Sequence, residues 1–368
     1  MTIARLDRLN VALSQAGLDG VALNPGPTFA YLTGVGFHLM ERPVVLLVAP
    51  GRRPVLVLPE LEKLKVDLFP YPVDAFCYGE NPAEWEAVFR KAVTALGLDG
   101  RRIGVEPRQM RLLEFRHVRA GAPEADYPDA SEALASLRLR KEEAEVEAMR
   151  RAVKTAQDAL QATIPSIKMG ATEKEIAAEL NVQLLKHGSE SELPFSPIVS
   201  GGPNSANPHA SPSGRKLRAG DLLVIDWGAR VDGYISDLTR TFAVGEVEPE
   251  FRKIAETVLA ANAAGRAAGR PGVPCANVDK AARHVIEQAG YAQYFTHRTG
   301  HGIGMEDHED PYMRGDNMQM LYPGMAYTVE PGIYLPGRGG VRIEDNVVVT
   351  KDGVEVLSDM PRELRQVG

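Results

Sequence analysis

Apolar and polar positions alternate most clearly in two neighbouring runs, Leu222–Ala229 and Tyr234–Val244, which are rich in β-branched residues. An Asp-Gly pair at positions 232 and 233 separates these runs. Such a pair between two apolar runs is a strong signal for a two-residue turn between antiparallel strands. The pattern therefore predicts a β-hairpin in which Val231 lies opposite Tyr234.

The register of this hairpin determines where its acidic residues lie. We expect Asp226 opposite Thr239, and Gly228 opposite Asp237. Because residues two apart on a strand share a face, Asp226 and Asp237 should lie diagonally on one face, about 7–8 Å apart at their Cα atoms. Two acids on a half-buried face repel each other unless a cation is present. In an arbitrary hairpin such residues are more often solvated, so a metal site requires further ligands downstream.

Helical and strand-like patterns alternate along residues 1–130, which predicts an α/β domain of modest size. The first helix has apolar residues at a helical spacing: Ile3, Leu6, Leu9 and Leu13. Short apolar runs predict strands at Gly20–Leu23, Pro43–Val48, Pro54–Leu58 and Arg102–Val105. Periodicity also predicts helices at Ala83–Leu96 and Arg108–Phe115.

A change of composition near Tyr127–Ser131 marks the expected start of a second domain, residues 131–368. The charged stretch from residue 137 to residue 160 has apolar residues on one face, which predicts a single long helix with a solvated face. Thr172 and Glu175 have the spacing of a capping box that opens the next helix. Two more helices are predicted at Phe251–Ala268 and Val278–Ala289.

Composition and charge exclude several functional classes. The chain has 368 residues, 44% hydrophobic and 25% charged, which is ordinary for a globular enzyme of about two domains. Its net charge of −7 argues against nucleic-acid binding. Cys77 and Cys275, the only cysteines, cannot form a disulfide framework or a CxxC zinc site. We find no signal-peptide core, no membrane-spanning apolar run and no phosphate loop, and therefore expect a cytoplasmic enzyme.

Three more residues of metal-ligand type lie downstream of the hairpin. His301 opens the stretch HGIGMEDHE, Glu330 lies in YTVEPGIY, and Glu344 lies in VRIEDNVVVT. A glutamate inside a strand of Val, Ile, Tyr and Thr is costly to bury unpaired, and two in successive predicted strands are hard to explain as solvated residues. With Asp226 and Asp237 they make a carboxylate-rich set that suits two divalent ions.

The order of these five residues, with their local contexts, resembles the pita-bread metallopeptidases, a family that includes methionine aminopeptidase, aminopeptidase P and prolidase. The matching segments are DWG at the first aspartate, SDLTRTF, GHGIG, VEPGIY and GVRIEDNVVVT. The resemblance implies a chain of α/β (α+β) class, with a creatinase/prolidase-like N-terminal domain at residues 1–130 and a pita-bread catalytic domain at residues 131–368. It also implies two divalent ions per subunit and a homodimer. The carboxylates favour Mn²⁺, although Co²⁺ and Zn²⁺ also fit.

The resemblance assigns roles to residues around the ions. Three histidines are implied to lie on the substrate side: His209, His297 and His308. Their task is to donate hydrogen bonds to the peptide carbonyl and the developing oxyanion. Glu330 is expected to accept a proton as well as to bind an ion. Arg342 lies two residues before Glu344 and therefore on the same face of the predicted strand, and its RIED context matches the family, so it is expected to orient that carboxylate. In this mechanism a hydroxide that bridges both ions attacks the scissile carbonyl.

Within the family, the chain favours peptidases that act on Xaa-Pro bonds in small peptides. Methionine aminopeptidases usually lack a domain like residues 1–130. Creatinase and the non-enzymatic, peptide-binding relatives lack the metal ligands. A non-catalytic peptide-binding module remains the alternative from a different functional class.

The choice between a dipeptidase and an aminopeptidase P depends on the substrate carboxylate. Typical prolidases bind it with an arginine four residues after the histidine that matches His308. This chain has Tyr312 at that position, with Arg314 two residues further on. The overall length and the compact first domain favour an Xaa-Pro dipeptidase (prolidase), with Tyr312 and Arg314 as the substrate-binding residues. Aminopeptidase P, which acts on longer peptides, is the alternative.

Overall fold

The computed structural model describes the backbone of residues 2–368 and the side chains of residues 4–368. The chain divides into two compact units, one that ends at Arg138 and one that runs from Leu139 to Gly368. The helix Ser131–Arg138 belongs to the first unit, where it packs against the first helix. Within residues 2–368, no helix is both long enough and apolar enough to cross a membrane.

The first unit contains a five-stranded mixed sheet. Its strands are β1 (Gly20–Leu23), β2 (Val45–Val48), β3 (Val55–Pro59), β4 (Asp74–Tyr78) and β5 (Ile103–Val105), in the order β4-β3-β2-β1-β5. Its helices are α1 (Thr2–Gln15), α2 (Pro27–Thr33), α3 (Pro82–Leu96), α4 (Leu112–Gly121) and α5 (Ser131–Arg138), with a 3₁₀ helix at Glu60–Leu68. Buried residues of α3, such as Phe89 and Val93, pack with strand residues in one core.

The predicted strands of this unit are confirmed, but β4 was not expected because most of its residues are at least partly exposed and its apolar pattern is weak. The helix predicted at Arg108–Phe115 is wrong in its bounds, since α4 begins only at Leu112. The reason is a turn after β5, in which the amides of Gln109 and Met110 both donate to the Glu106 carbonyl.

The second unit places helices beside several small sheets. The helices are α6 (Glu143–Thr163), α7 (Glu173–Lys186), α8 (Pro249–Ala268) and α9 (Ala276–Gln288), with 3₁₀ helices at Ile164–Ser166, Gly202–Ala206 and Ala292–Tyr294. The predicted capping box of α7 is confirmed, because Thr172 and Glu175 exchange hydrogen bonds between their side chains and main chains.

The single long helix predicted over residues 137–160 is wrong. The chain leaves the helical path between α5 and α6. There the Lys141 amide donates to the Gly324 carbonyl, and the Lys141 ammonium group forms a buried ion pair with Glu309 at 2.5 Å. These contacts satisfy Lys141 outside a helix, and a capping box at Glu142 starts α6 anew.

Two larger sheets of the second unit carry the residues of interest. The first contains β6 (Ile198–Gly201), β7 (Leu222–Trp227), β10 (Leu238–Val244) and β18 (Arg365–Val367), in the order β18-β10-β7-β6. The second contains β11 (Gly300–Gly302), β12 (Glu309–Met313), β13 (Ala326–Val329), β16 (Asp345–Val349) and β17 (Val354–Val356), in the order β12-β11-β13-β16-β17. Two-stranded ladders join β8 (Arg230–Val231) to β9 (Tyr234–Ile235), and β14 (Gly332–Leu335) to β15 (Gly339–Arg342).

The predicted hairpin register is confirmed at both ends. Asp226 pairs with Thr239 in the main ladder, and Val231 pairs with Tyr234 beside the turn. Between them the ladder is interrupted near Gly228. A Cβ atom at Gly228 would lie 2.0 Å from the Ser236 carbonyl oxygen, so close approach of the two backbones requires glycine here.

Glu330 and Glu344 were expected inside strands, and this is wrong. Glu330 follows the end of β13, and Glu344 lies between β15 and β16, where it forms an isolated bridge with Thr239. Both glutamates therefore occupy junctions at which a strand ends and the chain changes direction. A carboxylate at such a junction does not have to fit into the packed face of a sheet.

Candidate functional site

A cavity of about 1000 Å³ in the second unit is lined by acids, histidines and arginines. Its wall includes all five ligand candidates: Asp226, Asp237, His301, Glu330 and Glu344. It also includes five other residues singled out from the sequence: His209, His297, His308, Arg314 and Arg342. Tyr312 is not part of the wall. The fold thus collects almost all of the predicted site from distant parts of the chain.

The ligand candidates meet where the two larger sheets come together. Ligand-type atoms of Asp237, His301 and Glu344 all lie within 4.8 Å of one another. Glu330 joins them through His301, whose Nε2 is 3.2 Å from Glu330 Oε1 and 3.6 Å from Asp237 Oδ2. A group of this kind, with carboxylate oxygens around one imidazole nitrogen, can hold divalent cations.

The orientation of His301 suits a metal ligand. Its Nδ1 lies 3.1 Å from the Gly302 carbonyl oxygen, and because a carbonyl can only accept, Nδ1 carries the proton. Nε2, with its lone pair, is then directed at the carboxylates of Asp237 and Glu330. Metal-binding histidines are commonly held this way, by a backbone carbonyl on the far nitrogen.

Two carboxylate oxygens in the cluster have no hydrogen-bond donor among the described residues. They are Asp226 Oδ1 and Glu344 Oε1, and both are buried. In each residue the other oxygen is bound: Asp226 Oδ2 accepts from Arg342, and Glu344 Oε2 accepts from Thr239. Buried oxygens without donors are costly in a protein interior, and a cation would satisfy both.

The pKa shifts of the acids in the cluster also indicate a site for cations. Burial raises the pKa of Asp237 well above its usual range, and the charges of Glu344 and Asp226 raise it further. Burial and the charge of Glu330 likewise raise the pKa of Glu344 well above its usual range. Burial also acts to raise the pKa of Glu330, but when His301 is protonated at both ring nitrogens its hydrogen bond and charge outweigh burial and lower the pKa of Glu330 to about 2. The acids cannot all be ionised together without added positive charge, so the residues fit divalent ions.

Arg342 contacts a different carboxylate from the expected one. We predicted that it orients Glu344, but its Nη2 donates to Asp226 Oδ2 at 2.7 Å. Nε donates to the Thr239 hydroxyl at 3.0 Å, and Thr239 in turn donates to Glu344 Oε2 at 2.7 Å. Arg342 thus reaches Glu344 only through Thr239, because the hairpin register places Thr239 opposite Asp226.

His297 belongs to a chain of hydrogen bonds that begins at Arg342. Arg342 Nη1 donates to the Tyr334 hydroxyl at 3.0 Å, and that hydroxyl lies 2.9 Å from His297 Nε2. His297 Nδ1 donates to the Arg298 carbonyl at 2.7 Å. Burial lowers the pKa of His297, which favours the neutral ring that this chain requires. Both ring nitrogens therefore have protein partners in this structure, and the predicted role of His297 as a donor to the substrate stays a prediction.

The remaining candidates differ in their surroundings. The ring of His308 lies 4.0 Å from that of His301 between centroids, and burial, with the charge of His301, lowers the pKa of His308 to about 4. His209 is exposed on a loop at the wall of the cavity. Arg314 is 62% exposed and pairs with Asp316 at 2.5 Å. The ring of Tyr312 is covered by the guanidinium of Arg298, 4.5 Å from the ring centroid.

Sequence reasoning missed several residues that hold the site together. The side chain of Asn346 clamps the main chain of Asp237, accepting from its amide at 3.0 Å and donating to its carbonyl at 2.6 Å. Tyr334 and Thr239 link Arg342 to the histidine and to the acids, and Arg298 lies in the cavity wall. Thr239 could have been found from the hairpin register, whereas the other three have no signal beyond their closeness to predicted residues.

Comparison with known proteins gives a consistent identification. Residues 147–351 match the model of "Metallopeptidase family M24", and residues 5–140 match that of "Creatinase/Prolidase N-terminal domain". The "Putative dipeptidase YkvY" of Bacillus subtilis is 35% identical over 98% of this chain and 99% of its own. The "Xaa-Pro dipeptidase" of Lactobacillus delbrueckii subsp. lactis is 33% identical over 98% of both chains. The recombinant prolidase of Thermococcus sibiricus superposes with a TM-score of 0.94, at 32% identity, over 100% of this chain and 99% of its own.

These matches confirm the resemblance noted in the sequence. They also confirm the mixed α/β fold, with an N-terminal creatinase-like domain and a C-terminal pita-bread domain. A possible metal site at Asp237, His301 and Glu344 agrees with a metallopeptidase. The chain therefore belongs to metallopeptidase family M24, which implies divalent metal ions, and it is a hydrolase that acts on peptide bonds.

Proposed function

We propose that this protein is an Xaa-Pro dipeptidase that uses two divalent metal ions. The ions would be held by five side chains: Asp226, Asp237, His301, Glu330 and Glu344. One observation carries the proposal, which is the convergence of these side chains in one buried cluster with two carboxylate oxygens left without a donor. Four carboxylates without a nearby cation would repel each other strongly. The names of two relatives, a putative dipeptidase and an Xaa-Pro dipeptidase, support the choice of substrate.

When bound, the ions supply a Lewis acid that polarises the scissile carbonyl and activates water near neutral pH. The carboxylate-rich set favours Mn²⁺, with Co²⁺ and Zn²⁺ as alternatives. The protein's own contribution is to keep the ligands oriented. Arg342 fixes Asp226, Thr239 fixes Glu344, and Asn346 fixes the main chain of Asp237.

Three side chains at the cavity wall are proposed to act on the substrate. His308, with its pKa lowered to about 4, is neutral at physiological pH and can donate one hydrogen bond to the carbonyl oxygen as negative charge develops there. Glu330 is proposed to accept a proton during the reaction as well as to bind an ion. His209, on the exposed loop, is proposed as a second donor.

We assign His297 a positioning role. Its ring joins Tyr334 to the main chain at Arg298, and Tyr334 in turn contacts Arg342. The side chain therefore stabilises the arginine that orients Asp226. Arg342 is likewise proposed as a positioning residue whose contacts act through Asp226.

The decisive experiment is a substrate comparison on metal-depleted protein that is reloaded with Mn²⁺. We expect hydrolysis of Ala-Pro, slower hydrolysis of Ala-Pro-Ala, and little hydrolysis of Ala-Ala. Co²⁺ and Zn²⁺ are tested in the same way to rank the metals. Asp237→Asn should be inactive, while Asp232→Asn serves as the matched control because Asp232 is exposed at the turn of the same hairpin.

Two other outcomes would reject the proposed dipeptidase. Preference for Ala-Pro-Ala over Ala-Pro would identify an aminopeptidase P. Tight binding of Ala-Pro without any hydrolysis, by protein shown to contain metal, would identify a peptide-binding module. We also propose a homodimer, as the resemblance implies, and sedimentation equilibrium at assay concentration measures this directly.

A further inference from the structure

Arg298 introduces a positive charge into the cavity wall, and it forms no ion pair with a carboxylate among the described residues. The residue is half-buried and lines the cavity. Its side chain has two contacts: Nη2 lies 3.3 Å from His308 Nδ1, and the guanidinium lies 4.5 Å from the centroid of the Tyr312 ring. Neither contact supplies negative charge.

The other three arginines of the wall are all paired with acids. Arg283 pairs with Asp279 at 3.2 Å, Arg342 with Asp226 at 2.7 Å, and Arg314 with Asp316 at 2.5 Å. Arg314 was expected to bind the substrate carboxylate, but it is largely exposed and already has an acidic partner. Lys280 also lines the wall, and it is exposed to solvent. Arg298 is therefore the one arginine of the wall whose fork of N–H groups has no carboxylate partner.

The position of Arg298 relates it to the reacting bond. It contacts His308, and the His308 ring lies 4.0 Å from the ring of His301 between centroids. One imidazole thus separates the guanidinium from the proposed metal ligands. In a dipeptide the terminal carboxylate follows the scissile bond within one residue, about 4 Å of chain. A dipeptide bound with its scissile carbonyl at the ions can bring its carboxylate to this guanidinium.

The Tyr312 ring supports the guanidinium of Arg298, whose Cζ lies over the ring at 4.5 Å from its centroid. An arginine stacked on an aromatic ring is restricted in its rotation while its N–H groups remain available at the edge. A planar fork held in this way matches the two oxygens of a carboxylate. The aromatic ring of Tyr312 provides this support, and its hydroxyl is not needed for it.

We infer that Arg298 binds a carboxylate of the peptide substrate and that the Tyr312 ring holds Arg298 in place. The inference rests on the proposed Xaa-Pro hydrolase, and it replaces Arg314 as the expected carboxylate-binding residue. Two groups could supply the carboxylate, namely the C-terminus of a dipeptide or an acidic side chain on its first residue. Both present the same chemistry to the guanidinium, so the substrates of the test must separate them.

The test compares Arg298→Gln with wild type on Ala-Pro, Ala-Pro-amide and Glu-Pro-amide. If the C-terminus is bound, the variant loses kcat/KM about 10- to 100-fold on Ala-Pro and little on Ala-Pro-amide. If the acidic side chain is bound, the selective loss appears on Glu-Pro-amide instead. Equal losses on all three substrates, or no loss, would overturn the inference. Arg252→Gln, an exposed helix residue, is the matched control.

Two further variants test the alternatives within the same assay. Tyr312→Phe keeps the ring and should retain the selectivity, whereas Tyr312→Leu should lose part of it. The opposite order would mean that the hydroxyl binds substrate. Arg314→Gln should not change the preference between Ala-Pro and its amide, and a selective loss in this variant alone would return the role to Arg314.

A binding measurement separates this inference from the proposed function. Calorimetric titration of metal-depleted protein with Ala-Pro, Ala-Pro-amide and Glu-Pro-amide requires no turnover. Wild type should bind the acidic peptides more tightly than the neutral amide, and Arg298→Gln should lose that preference. Should the reloaded wild type hydrolyse none of the peptides, the dipeptidase proposal fails, while this titration still decides the role of Arg298. An unchanged preference, or no binding to wild type, overturns the inference.

Discussion

Arg342 and Asp226 form a buried ion pair in which Nη2 donates to Oδ2 at 2.7 Å. Because this oxygen is occupied, Oδ1 is the one left without a donor. The arginine thereby selects which oxygen of Asp226 is presented to an ion. This relationship makes Arg342 part of the proposed metal site although it cannot itself bind a cation.

Arg342→Lys should weaken metal binding without unfolding the protein. A lysine keeps the charge but cannot contact Asp226, Tyr334 and Thr239 at once, because it lacks the planar fork. Loss of a residue that orients a ligand typically lowers metal affinity about 10- to 100-fold. Titration of metal-depleted protein with Mn²⁺ measures the change, and Arg252→Lys provides the control. Unaltered affinity would show that the pair does not orient Asp226.

Asp237→Asn should lose bound metal and yet stabilise the metal-depleted protein. The substitution removes one of several buried acids that repel each other, so the free energy of unfolding without metal should rise by about 1 kcal/mol. Metal content by mass spectrometry and chemical denaturation give the two readings. In Asp232→Asn, at the exposed turn, the metal content and the free energy of unfolding should both stay at wild-type values. A full metal complement in Asp237→Asn would contradict the assigned ligand.

The acidic cluster should make the metal-depleted protein less stable as the pH rises. The pKa values of Asp237 and Glu344 are raised in the folded protein, so the folded state binds more protons than the unfolded state above about pH 4. Their contribution to stability therefore falls as pH rises from about 4 through the raised pKa values. The stability difference between Asp237→Asn and wild type should widen over this range. If the stability difference between the variant and wild type stays constant from pH 4 to pH 8, the pKa of Asp237 is not raised.

His308→Ala should retain metal and lose most of its turnover. The side chain is expected to donate to the developing oxyanion, and removal of one such donor costs on the order of 10²–10³ in kcat. With its pKa lowered to about 4, His308 remains neutral above about pH 5, so it should not impose an acidic limb on the kcat profile there. Steady-state kinetics from pH 5 to pH 9 measure the loss of turnover and the shape of the kcat profile. The exposed helix residue His284 supplies the control, His284→Ala, and near-normal turnover in His308→Ala would exclude the donor role.

The sequence was sufficient for the hairpin, where a turn signal and the alternation of side chains together define local structure. The hairpin register placed Asp226 opposite Thr239 because the Asp-Gly turn and the alternation of side chains leave one pairing. It failed for Glu330 and Glu344, since their apolar neighbours suggest strands and only tertiary packing ends those strands. It also failed at Lys141, which is buried with Glu309 from a distant segment. Charge alone suggested a solvated helix at that position.

Hydrogen bonds between residues that lie far apart in the sequence were the hardest to predict from it. Arg342 was recognised as important, but its partner was assigned from strand proximity and proved to be Asp226, from another sheet. Asn346 and Tyr334 lie inside the matching segments GVRIEDNVVVT and VEPGIY, but the sequence does not reveal their roles, because these depend on which main-chain and side-chain atoms come near. Such contacts follow from the packing of two sheets, which local patterns do not contain.

The confirmed register limits which insertions and deletions the hairpin can accept. Adding or deleting one residue in a strand, between the turn and either Asp226 or Asp237, would move that carboxylate to the opposite face of the sheet. A residue with a side chain cannot replace Gly228, because the Ser236 carbonyl occupies the space beside it. The number of residues between each aspartate and the turn is therefore as important to the proposed metal site as the acids themselves. Insertions here should be tolerated only in pairs, or together with a bulge that restores the phase of the strand.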